Sequence, residues 1–153
     1  YDKRHLFTYG GEHKEYTGGD RRVIAEYKGW RILLQVCYDL RFPGWSRDRD
    51  DYDMILYVAS WPTPRVEAWS ALLKARAIEN VCYVAGVNRV GDDPNCNYCG
   101  GTVLLDFLGK PLADAGTGGQ PATLSAEADK ISLTTFREKF PALQDADPFT
   151  LNI

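Results

Sequence analysis

The sequence predicts an α/β layered domain, and three observations carry that expectation. Short apolar runs of strand length occur at residues 30–36, 54–59 and 81–87, each stopped by polar or turn-forming residues. Residues 66–80 instead place Trp69, Leu72, Leu73, Arg76, Ala77 and Asn80 at helical spacing. The chain has 153 residues, of which 44% are hydrophobic, enough for one domain with a real core. Strands followed by a helix, a further strand and a hairpin suit a sheet covered by helices.

Composition narrows the function classes. The formal net charge is -3 and no basic stripe is present, which argues against a nucleic-acid partner. No apolar run is long enough to span a bilayer and no signal peptide is seen, so the cytoplasm is the expected location, with no membrane partner. The chain opens on Tyr1-Asp2-Lys3 without a methionine and reads like the middle of a longer protein.

Taken in order, residues 1–20 are polar and punctuated by Gly10-Gly11 and Gly18-Gly19, which predicts loop around short ordered pieces. Residues 22–27 and 30–36 read as two strands joined at Lys28-Gly29, a two-residue hairpin signal. Pro43 is tolerated in the first turn of a short helix over 43–50. Residues 54–59 form a buried strand, halted by Ser60-Trp61-Pro62-Thr63-Pro64. After the 66–80 helix comes a strand over 81–87, then a loop of Gly, Asp, Asn and Pro over 91–101. Residues 102–107 and 112–115 pair across a Leu108-Gly109-Lys110-Pro111 turn. Alternation over 122–128 predicts a half-exposed strand, and residues 130–140 a helix ended by Pro141.

The chemistry concentrates between Trp30 and Trp45. A strand runs into Cys37 and stops there, followed by Tyr38, Asp39 and Arg41 and by Phe42-Pro43-Gly44. A thiol at a strand tip is held yet reachable, and the backbone N–H groups after it lack ladder partners. The competing reading is a small apolar filler, the commonest role of free cysteine. Two opposite charges beside it do not suit a filler. Asp39 and Arg41, two apart, would share a face of an extended segment and pair with each other or with neighbours.

A nucleophilic Cys37 needs something to take its proton. His5 and His13, the only histidines, lie in the N-terminal polar segment, which also offers Lys3, Glu12 and Glu15. A lysine ammonium would favour thiolate and stabilise an oxyanion, and a carboxylate would serve as base; both residue types are also ordinary surface charges. Cys96-Asn97-Tyr98-Cys99 is a lone C-x-x-C without a second ligand pair, weak ground for a metal or redox protein.

Several stretches in order resemble the nitrilase superfamily of carbon–nitrogen hydrolases. Tyr1-Asp2-Lys3-Arg4-His5-Leu6-Phe7 resembles its lysine motif. The run from Gly11 to Asp20 resembles the segment of its auxiliary glutamate, and Val36-Cys37-Tyr38-Asp39-Leu40-Arg41-Phe42-Pro43 its nucleophile motif. Ser60-Trp61-Pro62, Asn88-Arg89-Val90-Gly91 and the end from Phe136 to Asp147 look most like the omega-amidase branch, which acts on short α-keto acid amides.

The resemblance implies a four-layer α-β-β-α sandwich, here lacking its N-terminal strands and helices, with 1–153 as the C-terminal part of one domain. It implies Cys37 as nucleophile, Lys3 as catalytic lysine, Glu12 as auxiliary glutamate and the Tyr38 N–H as oxyanion donor. Trp61 would wall the substrate pocket, while Arg76, Glu79 and Asn80 would form a structural polar network. It implies a small-molecule amide as substrate, a homodimer paired through outer helices and tails, and no metal or other cofactor. The family's general-base glutamate would lie upstream of Tyr1. A catalytically incomplete fragment acting as a dimeric binding module is the alternative.

Overall fold

The computed structural model describes residues 1–151. Two 3₁₀ turns, Thr8–Gly10 and Glu12–Lys14, interrupt the N-terminal loop. Then come β1 (Ile24–Tyr27), β2 (Trp30–Val36), a 3₁₀ turn over Cys37–Arg41, α1 (Pro43–Ser46), β3 (Met54–Ala59), α2 (Val66–Asn80) and β4 (Tyr83–Asn88). A small ribbon, β5 (Val90–Asp92) with β6 (Asn97–Cys99), precedes β7 (Val103–Leu105), β8 (Pro111–Asp114) and α3 (Lys130–Lys139).

Six strands make one mixed sheet in the order β1-β2-β3-β4-β7-β8. The central pairs β2–β3 and β3–β4 are parallel, while β1, β7 and β8 join antiparallel. Lys28 (φ 47°) and Gly29 (φ 79°) make the β1–β2 turn with both central residues left-handed, the backbone a two-residue hairpin requires. Parallel strands cannot be joined by a hairpin, so α2 crosses between β3 and β4 and lies on the sheet.

Register puts Leu33, Ile55, Val84 and Leu105 in one row. These residues pack with Trp69, Leu73 and Ala77 of α2 in the main core. Gly86 is what lets the helix come that close. A Cβ there would stand 2.4 Å from Leu73 Cδ1 and 2.9 Å from the Trp69 ring. A second cluster seats Leu133 and Phe136 of α3 on Trp30, Met54 and Tyr83, on the face of the sheet opposite α2. Further along the strands that same face carries the register row Val36, Val58 and Val87, of which Val58 and Val87 are exposed. No described helix is long and apolar enough to cross a membrane.

Three expectations need correction. Residues 122–128 form no strand: the sheet ends at β1 and β8, and alternation without ladder pairing to either edge does not make one. The 91–101 loop instead contains β6 and is drawn into a ribbon by Tyr98, whose hydroxyl donates to Asp93 Oδ2 at 2.6 Å. The strand expected from residue 81 begins at Tyr83, because Val81 adopts a left-handed φ of 45° and ends α2, its N–H bonding back to Ala77 and Ile78. A β-branched residue there is strained, and burial of Val81 against Tyr83 and Leu133 offsets the strain.

Gly86→Ala should lower unfolding free energy by about 1–3 kcal/mol through overpacking, read by denaturant titration. Gly118→Ala, where no atom lies within 4 Å of the new Cβ, should stay near wild type.

Candidate active site

β2 ends at Val36, where its patterning implies. Cys37 itself leaves the strand, with a left-handed φ of 47°, and opens the 3₁₀ turn Cys37–Arg41. A non-glycine residue in this region is rare and marks strain that the surroundings must hold. They hold it from both sides. The Val36 N–H donates to Asp39 Oδ2 at 3.0 Å, and an Arg76 N–H donates to the Leu40 carbonyl at 2.6 Å. Arg76 also pairs with Glu79, while Asn80 accepts from the Asp48 N–H and donates to the Arg76 carbonyl. The polar network on α2 thus braces the turn from behind.

One open cavity of about 650 Å³ is lined by Lys3, Glu12, Cys37, Tyr38 and Trp61, so all five residues expected at a site come together. Lys3 and Glu12 form an ion pair, with the ammonium 2.6 Å from Oε2 and 2.9 Å from Oε1. Glu12 Oε2 also accepts the Phe7 N–H at 2.8 Å. Burial works against the Glu12 carboxylate, but the bonds from Lys3 and Phe7 outweigh it and hold its pKa below the usual range. It remains an anion and does not pick up protons near neutrality. Its 3₁₀ turn, Glu12–Lys14, sets it opposite Lys3.

Burial pushes the Cys37 thiol up; the Lys3 charge pulls it down by less, so the net shift is upward. The sulfur has only a long contact to the Ser60 carbonyl, at 3.9 Å. A thiol in this state needs a base before it attacks. Neither histidine lines the cavity. His5 is occupied elsewhere, its Nδ1 2.9 Å from Asp39 and its ring stacked on Phe42 at 3.8 Å.

Trp61 serves both the core and the cavity. It is 3% exposed, belongs to the main core, and also walls the cavity. Asn88 pins it, accepting the Trp61 N–H at 2.7 Å and donating to the Trp61 carbonyl at 2.9 Å. The Tyr38 N–H lies in the first turn of a 3₁₀ helix, where backbone donors lack intrahelical acceptors.

Of the two pairings open to Asp39 and Arg41, with each other or with neighbours, the first does not form among the described residues, and Asp39 takes the second. Once the turn is helical rather than extended, residues two apart no longer share a face. Asp39 points inward and is fully buried, whereas the Arg41 guanidinium lies 4.9 Å from the centre of the Trp61 ring. Arg65, 5.7 Å from the Phe7 ring centre, also lines the cavity. Among the described residues neither arginine has a carboxylate within salt-bridge distance. Sequence reasoning passed over Arg65; the only signal was its place just after the Trp61-Pro62 stop. Cys96 and Cys99 are free thiols at the β6 ribbon, away from this cavity. No group of three or more His, Cys, Asp or Glu side chains among the described residues is arranged to hold a metal.

The family model described as carbon-nitrogen hydrolase matches residues 1–138. Omega-amidase YafV of Yersinia enterocolitica is 57% identical over 152 residues, covering 99% of this chain and 59% of that protein. The 2-oxoglutaramate amidase of Bacillus subtilis is 35% identical over 147 residues, 95% of this chain and 56% of that protein. Among crystal structures, XC1258 of Xanthomonas campestris is similar at a TM-score of 0.92 and 48% identity, covering 99% of this chain and 60% of that one. It is described as a CN-hydrolase superfamily protein with an arsenic adduct in the active site. The chain therefore spans under two thirds of the length of these relatives.

Lys3→Met removes the cation that lowers the Cys37 pKa. The pH profile of Cys37 alkylation by iodoacetamide should move to higher pH, with several-fold slower labelling at pH 8.

Proposed function

The chain belongs to the carbon–nitrogen hydrolase family, with an α/β fold of the nitrilase superfamily, and from that premise we propose that it serves an amidase whose nucleophile is Cys37. The reading rests on one observation above all: a cysteine at a strained strand tip shares a cavity with a lysine fixed by a glutamate.

In this mechanism the Cys37 sulfur attacks the amide carbon, and the carbonyl oxygen takes the negative charge. The Lys3 ammonium and the Tyr38 N–H stabilise that oxyanion. The C–N bond breaks, ammonia leaves with a proton, and a thioester remains on Cys37. Water attacks the thioester and releases the acid. Glu12 keeps Lys3 charged and aimed. It is not the proton carrier, because it is held ionised. We assign that role to a carboxylate outside residues 1–153, as in the family pattern, and take the chain as the C-terminal part of one domain.

The proposed substrate is a short α-keto acid carrying a terminal amide. Two similar proteins bear the names omega-amidase and 2-oxoglutaramate amidase. Such a substrate has a carboxylate at its far end, and Arg41 and Arg65 line the cavity without a carboxylate partner among the described residues. Guanidinium groups suit planar, two-point binding of carboxylates. Trp61 would form the apolar wall between the two ends. We further propose a cytoplasmic homodimer. A catalytically incomplete dimeric module is a second reading, favoured only by exposed Val58 and Val87 on the sheet; a folded, inactive homodimer would support it.

Ammonia release from a panel of amides tests the assignment. α-Keto acid ω-amides should be turned over and Cys37→Ala should abolish the activity; equal turnover of all amides, or activity without Cys37, would refute it. Arg65→Ala should raise KM about ten-fold or more for the carboxylated amide, and change it little for an uncharged amide of the same length.

A further inference from the structure

Lys3 reaches the cavity from a loop, and a loop does not by itself hold a side chain still. Glu12 grips the ammonium end. What holds the backbone end lies outside the cavity, at Asp39. This carboxylate is fully buried, and among the described residues the only basic side chain within salt-bridge distance is His5. Its two oxygens are nevertheless well supplied with donors. Oδ2 accepts the Tyr1 hydroxyl at 2.9 Å and the Val36 N–H at 3.0 Å. Oδ1 accepts the His5 N–H at 2.9 Å and lies 2.9 Å from His5 Nδ1.

The positions of these donors matter more than their number. Tyr1 and His5 stand two residues either side of Lys3. Val36 and Asp39 itself stand either side of Cys37. One carboxylate therefore ties the chain flanking the lysine to the chain flanking the nucleophile. The tie is stiffened from behind. The Tyr1 oxygen accepts the Trp45 indole N–H at 2.9 Å and the Arg4 N–H at 3.2 Å. Burial and the neighbouring Asp39 charge both push the Tyr1 phenol well up, so it stays a donor toward Asp39. The His5 ring lies flat on Phe42, immediately after the nucleophile turn.

We propose that Asp39 is a positioning residue, which sets the Lys3 ammonium against the Cys37 sulfur by clamping their two backbone segments together. It touches neither sulfur nor substrate and is absent from the cavity lining. The proposal rests on the Cys37–Lys3 reading above and adds to it the group that fixes their separation.

Asp39→Asn is the informative variant, because its two possible effects have opposite signs. The Asp39 charge raises the Cys37 pKa directly, so neutralising it without moving Lys3 should shift alkylation of Cys37 to lower pH. Asn also turns an N–H donor toward either the Val36 or the His5 N–H, which breaks the clamp. If the clamp sets Lys3, the sulfur loses its cation and the alkylation profile shifts to higher pH. The measurement is iodoacetamide labelling of Cys37 across pH, followed by peptide mass spectrometry, on the protein expressed as its gene encodes it.

The expected result is a shift upward toward the Lys3→Met profile, with no further upward shift in the Lys3→Met/Asp39→Asn double variant, where only the small downward effect of the lost Asp39 charge remains. With an amide substrate, kcat should fall ten-fold or more while KM changes less than three-fold. An unchanged or lowered profile in folded Asp39→Asn, or additive shifts in the double variant, overturns the proposal. Tyr1→Phe, which removes one donor and keeps the ring, provides the same reading should Asp39→Asn not fold: a smaller upward shift is expected, and no shift overturns the proposal. If labelling behaves as expected but the wild-type protein hydrolyses no amide, the amidase reading fails and the clamp stands.

Discussion

A single backbone angle governs much of this molecule. Cys37 sits at φ 47°, a conformation that costs an L-residue about 1–3 kcal/mol and persists only where neighbours over-determine it. Adopting it turns the chain abruptly out of β2 and lifts the sulfur off the sheet. It also starts a 3₁₀ turn, whose first N–H groups lack intrahelical acceptors. The rest of the domain can be read as the support for that turn. β3 and β4 fix the strand behind it in parallel register. Gly86 lets α2 pack down, and α2 delivers Arg76 to the Leu40 carbonyl. The loop before β1 closes over the front with Lys3 and Glu12.

Charge in the cavity follows from burial and pairing. The thiol is too buried to ionise easily, so the nearby ammonium lowers the cost of the anion without abolishing it. That ammonium would be a poor electrostatic tool if it roamed, and Glu12 fixes it with two contacts to one carboxylate. The same pairing removes Glu12 from proton traffic. Arg41 and Arg65, without a carboxylate partner among the described residues, outweigh the Asp2 carboxylate in the same lining and leave the cavity with surplus positive charge, which suits the anionic substrate proposed.

Much of this was legible in the residues. The hairpin at Lys28-Gly29, the buried strand at 54–59 and the crossover helix are local patterns that tertiary packing does not override. Lys3, Glu12, Cys37, Tyr38 and Trp61 were expected at one site and line one cavity. What escaped depends on long-range geometry. The left-handed Val81 carries no glycine to announce it, and β6 is made by side-chain bonds within its loop. Asp39, open to pairing with Arg41 or with neighbours, draws two of its three donor residues from 34 and 38 positions away. Only folding brings them together.

Turnover through Cys37, as proposed, would leave a chemical trace that can be weighed. Acid quench of the protein during hydrolysis of an α-keto acid ω-amide, then proteolysis and mass spectrometry, should find the substrate's acyl group, without its nitrogen, on the peptide bearing Cys37. Hydroxylamine should remove it, as befits a thioester. An acyl group on any other residue, or steady ammonia release with Cys37 never modified in the quenched protein and dispensable when replaced by alanine, would contradict the account.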